Sequence, residues 1–175
     1  PDGIPVYSAP ADLVNHVLGF KFHAGVMAVG IRGLSPTIDD LLVNTIDKSV
    51  TFLICPEIEK SDNLGAIIRI AAAFGVDGMI LGEHCCDPFF RQSVRVSMGA
   101  AFVLPIVRSD DLVRDLRRLR QEFGVELIAS VLAEDAEHLD RVKRSNRIGL
   151  LLGNEAQGLR PEIEALCDRR VTIPM

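Results

Sequence analysis

The sequence predicts an α/β fold, a mostly parallel sheet flanked by helices. Short continuous apolar runs at Val50–Cys55, Gly78–Leu81 and 148–152 read as buried strands. Between strands lie segments with apolar residues at helical spacing, roughly 10–15 residues long, the signature of βαβ units. The stretch IGLLLGNEAQGLRPEIEALCDRRVTIPM, 148–175, runs strand, glycine-containing loop, helix, strand. That is the layout of an open α/β sheet, whose ligands bind at the carboxyl ends of the strands.

The elements follow in order. A strand is expected at 5–8, a helix at Ala11–Leu18 and a strand at 26–31, with Gly25, Gly30 and Gly33 as punctuation. Residues 34–48 carry a turn at Ser35-Pro36 and one or two amphipathic helical turns, a connector. Val50–Cys55 is a strand closed by Pro56. Asp62 is the expected N-cap of the next helix. Leu64, Ile67, Ile68, Ala71 and Phe74 form its stripe, and Gly75 suits its C-terminal cap. Gly78–Leu81 is a strand, 85–102 a loop with a short helix, and 103–107 a strand. Residues 110–123 form the clearest helix, with Leu112, Leu116, Leu119 and Phe123 on one side and Gly124 at its end. A strand at 126–131 and a helix at 136–142 precede the strand at 148–152. Pro161 fits a first helical turn, and 171–173 is a strand ended by Pro174.

Composition narrows the function. With 175 residues and 48% apolar content the chain can bury a sizeable core. No run spans a bilayer and no signal peptide is visible. Cys55, Cys85, Cys86 and Cys167 show no CxxC spacing, which fits reduced thiols in a cytoplasmic protein rather than a disulfide framework or metal site. A net charge of −5 argues against non-specific coating of nucleic acid, though not against a local basic site. Arg114, Arg117, Arg118 and Arg120, and then Arg141, Lys143, Arg144 and Arg147, read as solvated faces. One tyrosine and no tryptophan leave little for an extended base-stacking platform. GxGxxG and GxxxxGK[ST] are both absent, and His16, His23, His84 and His138 form no nucleophile–histidine–acid set.

Two features stand out. Glu155 is a carboxylate directly after a buried strand, either a solvated loop residue or a functional one. Arg69 lies six residues after Asn63 in the helix NLGAIIRIAAAFG, with Leu64, Ile67, Ile68, Ile70 and Ala71 around it. Such an arginine reaches solvent by snorkelling, pairs with a carboxylate such as Glu155, or points at an anionic ligand such as an RNA phosphate.

The blocks DNLGAIIRIAAAFGVDGMIL, SVRVSMGAAFVLPI and LLLGNEAQGLRPEIEALCDRRVTIPM, in that order and spacing, resemble the SpoU (TrmH-like) branch of the SPOUT RNA methyltransferases over roughly 50–175. The resemblance implies a SPOUT trefoil-knot fold, an exception to the rule against threaded chains. It implies methyl transfer from S-adenosylmethionine to a ribose 2′-hydroxyl of structured rRNA or tRNA. The cofactor is expected at Ser130, Val131, Gly153, Asn154, Ile173, Pro174 and Met175, held largely by loop backbone, with Gly153 permitting its close approach. Arg69 matches the family's catalytic arginine, Asn63 its first-motif partner and Glu155 its second-motif glutamate. Arginine stays protonated, so binding the neighbouring phosphate and polarising the 2′-oxygen is the preferred role for Arg69, although the family also casts it as a base. Homodimerisation across the knot is implied; a membrane or a metal is not.

VYSAPADLVNHVLGFKFHAGVMAVG resembles the tail of the ribosomal-protein-like RNA-binding domain that precedes the catalytic domain in many members, which favours rRNA over tRNA. The expected organisation is 1–33 as that remnant, 34–48 as linker and 49–175 as the methyltransferase domain. The family's Ser-Leu-Asn block is expected after Met175, so the knot is expected to be incomplete within these residues. The rival reading is a catalytically silent RNA-binding paralogue, which the presence of both Arg69 and Asn63 disfavours. A small-molecule-binding α/β domain unrelated to RNA fits the acidic charge but not the three blocks together.

Overall fold

Strand β1, Val50–Cys55, lies near the middle of the sheet, and its side chains alternate between two cores. The computed structural model describes residues 3–43, 45 and 48–173. The chain divides into two units, Pro1–Leu34 and Ser35–Met175.

The first unit contains helix α1, Ala11–Leu18, as expected, capped by Gly19, whose N–H bonds the Asn15 carbonyl. The strands expected at 5–8 and 26–31 are not formed. Neither segment has a neighbouring strand in the unit, and a lone strand leaves its backbone groups without partners. Val6, Tyr7, Val26, Val29 and Ile31 are exposed.

The second unit opens with α2, Ile38–Val43. Thr37 and Asp40 form a reciprocal cap there, Asp40 Oδ2 accepting from Thr37 N at 2.8 Å and Thr37 Oγ1 accepting from Asp40 N at 3.2 Å. The remaining strands are β2 (Gly78–Leu81), β3 (Ile106–Arg108), β4 (Glu126–Ser130), β5 (Glu137–His138), β6 (Arg147–Leu152) and β7 (Arg169–Thr172). They pair in the order β3-β2-β1-β6-β4-β7-β5, every pair parallel, so the expected sheet is present among the described residues. Helices α3 (Ser61–Ala73), α4 (Arg91–Val96), α5 (Leu112–Gln121) and α6 (Pro161–Glu164) complete the unit.

Helices cover both faces. Phe52 and Ile54 point into a core filled by Leu41 and Leu42 of α2, Leu116 and Leu119 of α5, and Ile163 of α6. Leu53 and Cys55 point the other way, toward Leu64 and Ile68 of α3. No helix among the described residues is long and apolar enough to cross a membrane.

Several expectations shift. Asp62 does not cap α3: the cap position is Lys60, without a side-chain bond, and the Asp62 carboxylate instead accepts from Gln92 Nε2 at 2.6 Å. At the other end Gly75 N bonds Ala72 O and Val76 N bonds Ala71 O, the paired closure expected of a glycine just past a helix. The strand expected at 103–107 is β3, starting after Pro105, because proline has no N–H to give a ladder. The preceding Ala100–Phe102 is a 3₁₀ turn. The helix expected at 136–142 is instead β5 followed by a 3₁₀ turn at Leu139–Arg141, because β7 offers β5 an open edge.

The topology positions the site. The chain leaves β1 through α3 on one face, and leaves β6, its neighbour, through α6 on the other. Such a switch point opens a crevice at the carboxyl ends of the two strands.

Candidate active site

The loop after β6 is a closed hairpin. Asn154 N and O both bond Gly158, at 2.9 and 2.8 Å, and Asn154 Oδ1 accepts from Ala156 N at 2.9 Å. The Asn154 side chain is thus spent on shaping its own loop. A Cβ on Gly153 would lie 2.4 Å from the carbonyl carbon of Gly158. The close approach that makes glycine necessary here is therefore the loop's own returning backbone.

This hairpin separates two cavities. The smaller, about 210 Å³, lies between the loop after β1 and the hairpin, walled by Glu57, Lys60, Asn63, Asn154 and Glu155. Asn63 Nδ2 donates a hydrogen bond to Glu155 Oε1, and Lys60 Nζ lies 3.5 Å from Glu155 Oε2. Arg160 Nε stands 3.8 Å from Glu57. The wall is braced from behind: Ile58 N donates to Cys85 Sγ at 3.3 Å, Cys85 Sγ to Cys55 O at 3.0 Å, and Cys86 N to Ile58 O at 2.8 Å. Burial pushes the Cys85 thiol above its ordinary range, so it braces the wall in its protonated form. Among the described residues no group of three or more His, Cys, Asp or Glu is placed to hold a metal ion.

The larger cavity, about 640 Å³, lies on the other side of the hairpin. Ser130, Val131, Gly153, Asn154 and Ile173 all line it. Pro174 and Met175 lie outside the described residues. The side chains of Leu132 and Ile173 face it and are 81% and 58% exposed, which gives the cavity an apolar lining. Its rim carries Arg170, whose Nη1 bonds Asp135 at 2.8 Å and whose Nε bonds Glu164 at 2.7 Å. Asn154, Glu155 and Ala156 line both cavities.

The sequence pointed to Asn63 and Glu155, and the fold brings them together. Arg69 stands apart. It makes no hydrogen bond or ion pair with a described residue, and it lines neither cavity. The pairing with Glu155 does not form; Lys60 and Asn63 take that carboxylate. Nor is Arg69 ringed by buried side chains. Leu64, Ile68 and Ala71 are buried, but Ile70 and Phe74 are 56% and 84% exposed, so Arg69 sits on the outward face of α3. Lys60 and Glu57 had no distinguishing signal in the sequence, since their partners Glu155 and Arg160 are distant in the chain.

Comparison with known proteins bears on this geometry. A profile described as the SpoU rRNA Methylase family matches residues 51–175. An uncharacterized tRNA/rRNA methyltransferase of Mycobacterium tuberculosis is 35% identical over 99% of the chain, which spans 59% of that relative's length. The 23S rRNA (guanosine-2'-O-)-methyltransferase RlmB of Acinetobacter baylyi is 30% identical over the whole chain, which spans 71% of it. The SpoU methyltransferase AviRb of Streptomyces viridochromogenes, in complex with AdoMet, matches with a TM-score of 0.68 and 32% identity, over 80% of this chain and 56% of that one. The AdoMet-bound rRNA methyltransferase of Sinorhizobium meliloti matches with a TM-score of 0.70 and 30% identity, over 81% and 52%.

Proposed function

The chain belongs to the SpoU rRNA Methylase family, and from that membership we propose that it carries S-adenosylmethionine-dependent 2′-O-ribose methylation of structured RNA. Ribosomal RNA is favoured over tRNA, supported by the likeness to RlmB. The observation that carries the reading is the pair of cavities back to back at Glu155. The larger suits the cofactor in volume and in its exposed apolar lining. When bound there, S-adenosylmethionine supplies a methyl group already activated on a sulfonium.

The chain's own residues then align the acceptor. Glu155 and Asn63 hold the ribose at the edge the two cavities share, where Asn154, Glu155 and Ala156 line both, so that its 2′-oxygen meets the methyl group directly and not through the hairpin backbone. Arg69 binds the adjacent phosphate and polarises the 2′-oxygen, a role suited to a permanently charged fork. Because Arg69 lines neither cavity of its own chain, this reading places it at the site of a second copy in a homodimer. Exposed Ile70 and Phe74 beside it offer that contact apolar area. The four free cysteines suit a cytoplasmic setting.

The test is transfer of tritium from S-adenosylmethionine to 23S rRNA transcribed in vitro, with the product nucleoside identified by mass spectrometry. A 2′-O-methylated nucleoside is expected. RNA binding with neither cofactor binding by calorimetry nor transfer would instead establish a silent RNA-binding paralogue.

A further inference from the structure

The smaller cavity is acidic for an RNA site. Glu57, Glu59 and Glu155 line it, and among the described residues Lys60 is the one cation in its wall. Arg160 faces Glu57 at 3.8 Å, which leaves Glu59 and Glu155 to repel a phosphate entering with the target ribose. Both Glu155 oxygens are engaged, Oε1 by Asn63 and Oε2 by Lys60. The Lys60 side chain is 75% exposed and its ion pair is long at 3.5 Å. An exposed pair of this kind is weak, and a lysine on a flexible stem changes partner readily.

We propose that Lys60 is a substrate-binding residue that exchanges Glu155 for the RNA phosphate flanking the target ribose. This rests on the methyltransferase reading and adds to it a coupling between docking and alignment. Once the Lys60 ammonium turns to the phosphate, Glu155 Oε2 is released to accept a hydrogen bond from the ribose 2′-hydroxyl, while Asn63 still holds Oε1. The ammonium also offsets the negative field of the cavity at the point where the polyanion enters.

The experiment measures binding of the intact protein to in vitro transcribed 23S rRNA across a salt series, with transfer kinetics measured alongside. Lys60→Ala is expected to raise the RNA KM about five- to tenfold and to lower the magnitude of the salt slope by about one. Its kcat should change less than twofold and its cofactor affinity not at all, because Glu155 Oε2 is already free in this variant. Lys60→Arg should restore both KM and slope. Lys143→Ala, an exposed lysine in the loop before β6, should leave both unchanged. A Lys60→Ala variant with wild-type KM and salt slope would overturn the proposal. Absence of transfer by the wild-type protein would overturn the methyltransferase reading, and the salt slope would still decide whether Lys60 meets a phosphate.

Discussion

Asn63 and Glu155, ninety-two residues apart in sequence, share a hydrogen bond that closes the crevice between β1 and β6. The bond joins the start of α3 to the hairpin that walls both cavities. It is exposed to solvent, so its loss should cost stability only about 0.5–1.5 kcal/mol. Asn63→Ala is therefore expected to fold normally and to lose methyl transfer roughly a hundredfold, about the scale of one positioning contact. The double variant Asn63→Ala/Glu155→Ala should lose little more than either single one, since neighbours that act together are not additive. Additive losses in kcat/KM would show that the two act separately.

Gly153 and Gly158 should differ in their response to alanine. At Gly153 the new Cβ meets the Gly158 carbonyl carbon at 2.4 Å and Leu159 N at 2.5 Å, and backbone cannot step aside without opening the hairpin. At Gly158 the space is open and only the left-handed φ of +71° opposes a side chain. Gly158→Ala should cost about 1–2 kcal/mol. Gly153→Ala should cost more and abolish cofactor binding; urea unfolding and calorimetric titration check both.

The sheet was legible because buried parallel strands announce themselves as continuous apolar runs, and Val50–Cys55 and Gly78–Leu81 have the expected bounds. Elements with weak local signals were not. Residues 136–142 carry helical spacing, yet the open edge of β7 draws Glu137–His138 into the sheet. The apolar run around 103–107 conceals that Pro105 delays the strand. In the site, Glu155 and Gly153 were visible as breaks in a pattern. Lys60 was not, because its meaning comes from a carboxylate ninety-five residues away. Arg69 looked enclosed because periodicity alone does not say how wide the buried stripe of a helix is.

Arg170 ties the loop after β4 to α6, through Asp135 and Glu164 respectively. Both segments border the larger cavity, so this strap sets its width. Arg170→Ala is expected to weaken cofactor binding severalfold while kcat at saturating cofactor stays near wild type. Raised salt should produce part of the same loss in the wild-type protein, because the strap is solvent-exposed. Calorimetric titration at low and high salt measures both effects.

Arg69→Ala separates chemistry from folding. The side chain is exposed and forms no bond with a described residue, so stability should stay within about 0.5 kcal/mol of wild type. Cofactor affinity should also be unchanged, since Arg69 does not line the larger cavity. Transfer to RNA should fall below detection, and Arg69→Lys should recover little of it, because a point charge does not reproduce a planar fork. Wild-type activity in Arg69→Ala would remove this residue from the mechanism.

Alkaline pH should destabilise the fold through the buried Cys55 and half-buried Cys167 thiols. Burial, then the nearby Asp168 and Glu164 carboxylates, push Cys167 up to about 12 from an ordinary 9.0, with Arg120 opposing. Burial also raises Cys55, which sits wholly inside the sheet. A thiol that holds its proton more tightly folded than unfolded contributes stability in full below pH 9.0. That contribution is lost between 9.0 and about 12, where the unfolded chain releases its proton first. Urea midpoints should therefore fall from pH 8 to pH 10, and Cys167→Ala should fall less steeply than wild type. Because the fold holds the Cys167 proton more tightly than the unfolded chain does, a thiol-specific reagent should modify it in the native protein far more slowly than in urea at pH 8. Equal rates in the two states, with equal pH slopes for wild type and variant, would show that Cys167 ionises as freely in the fold as out of it.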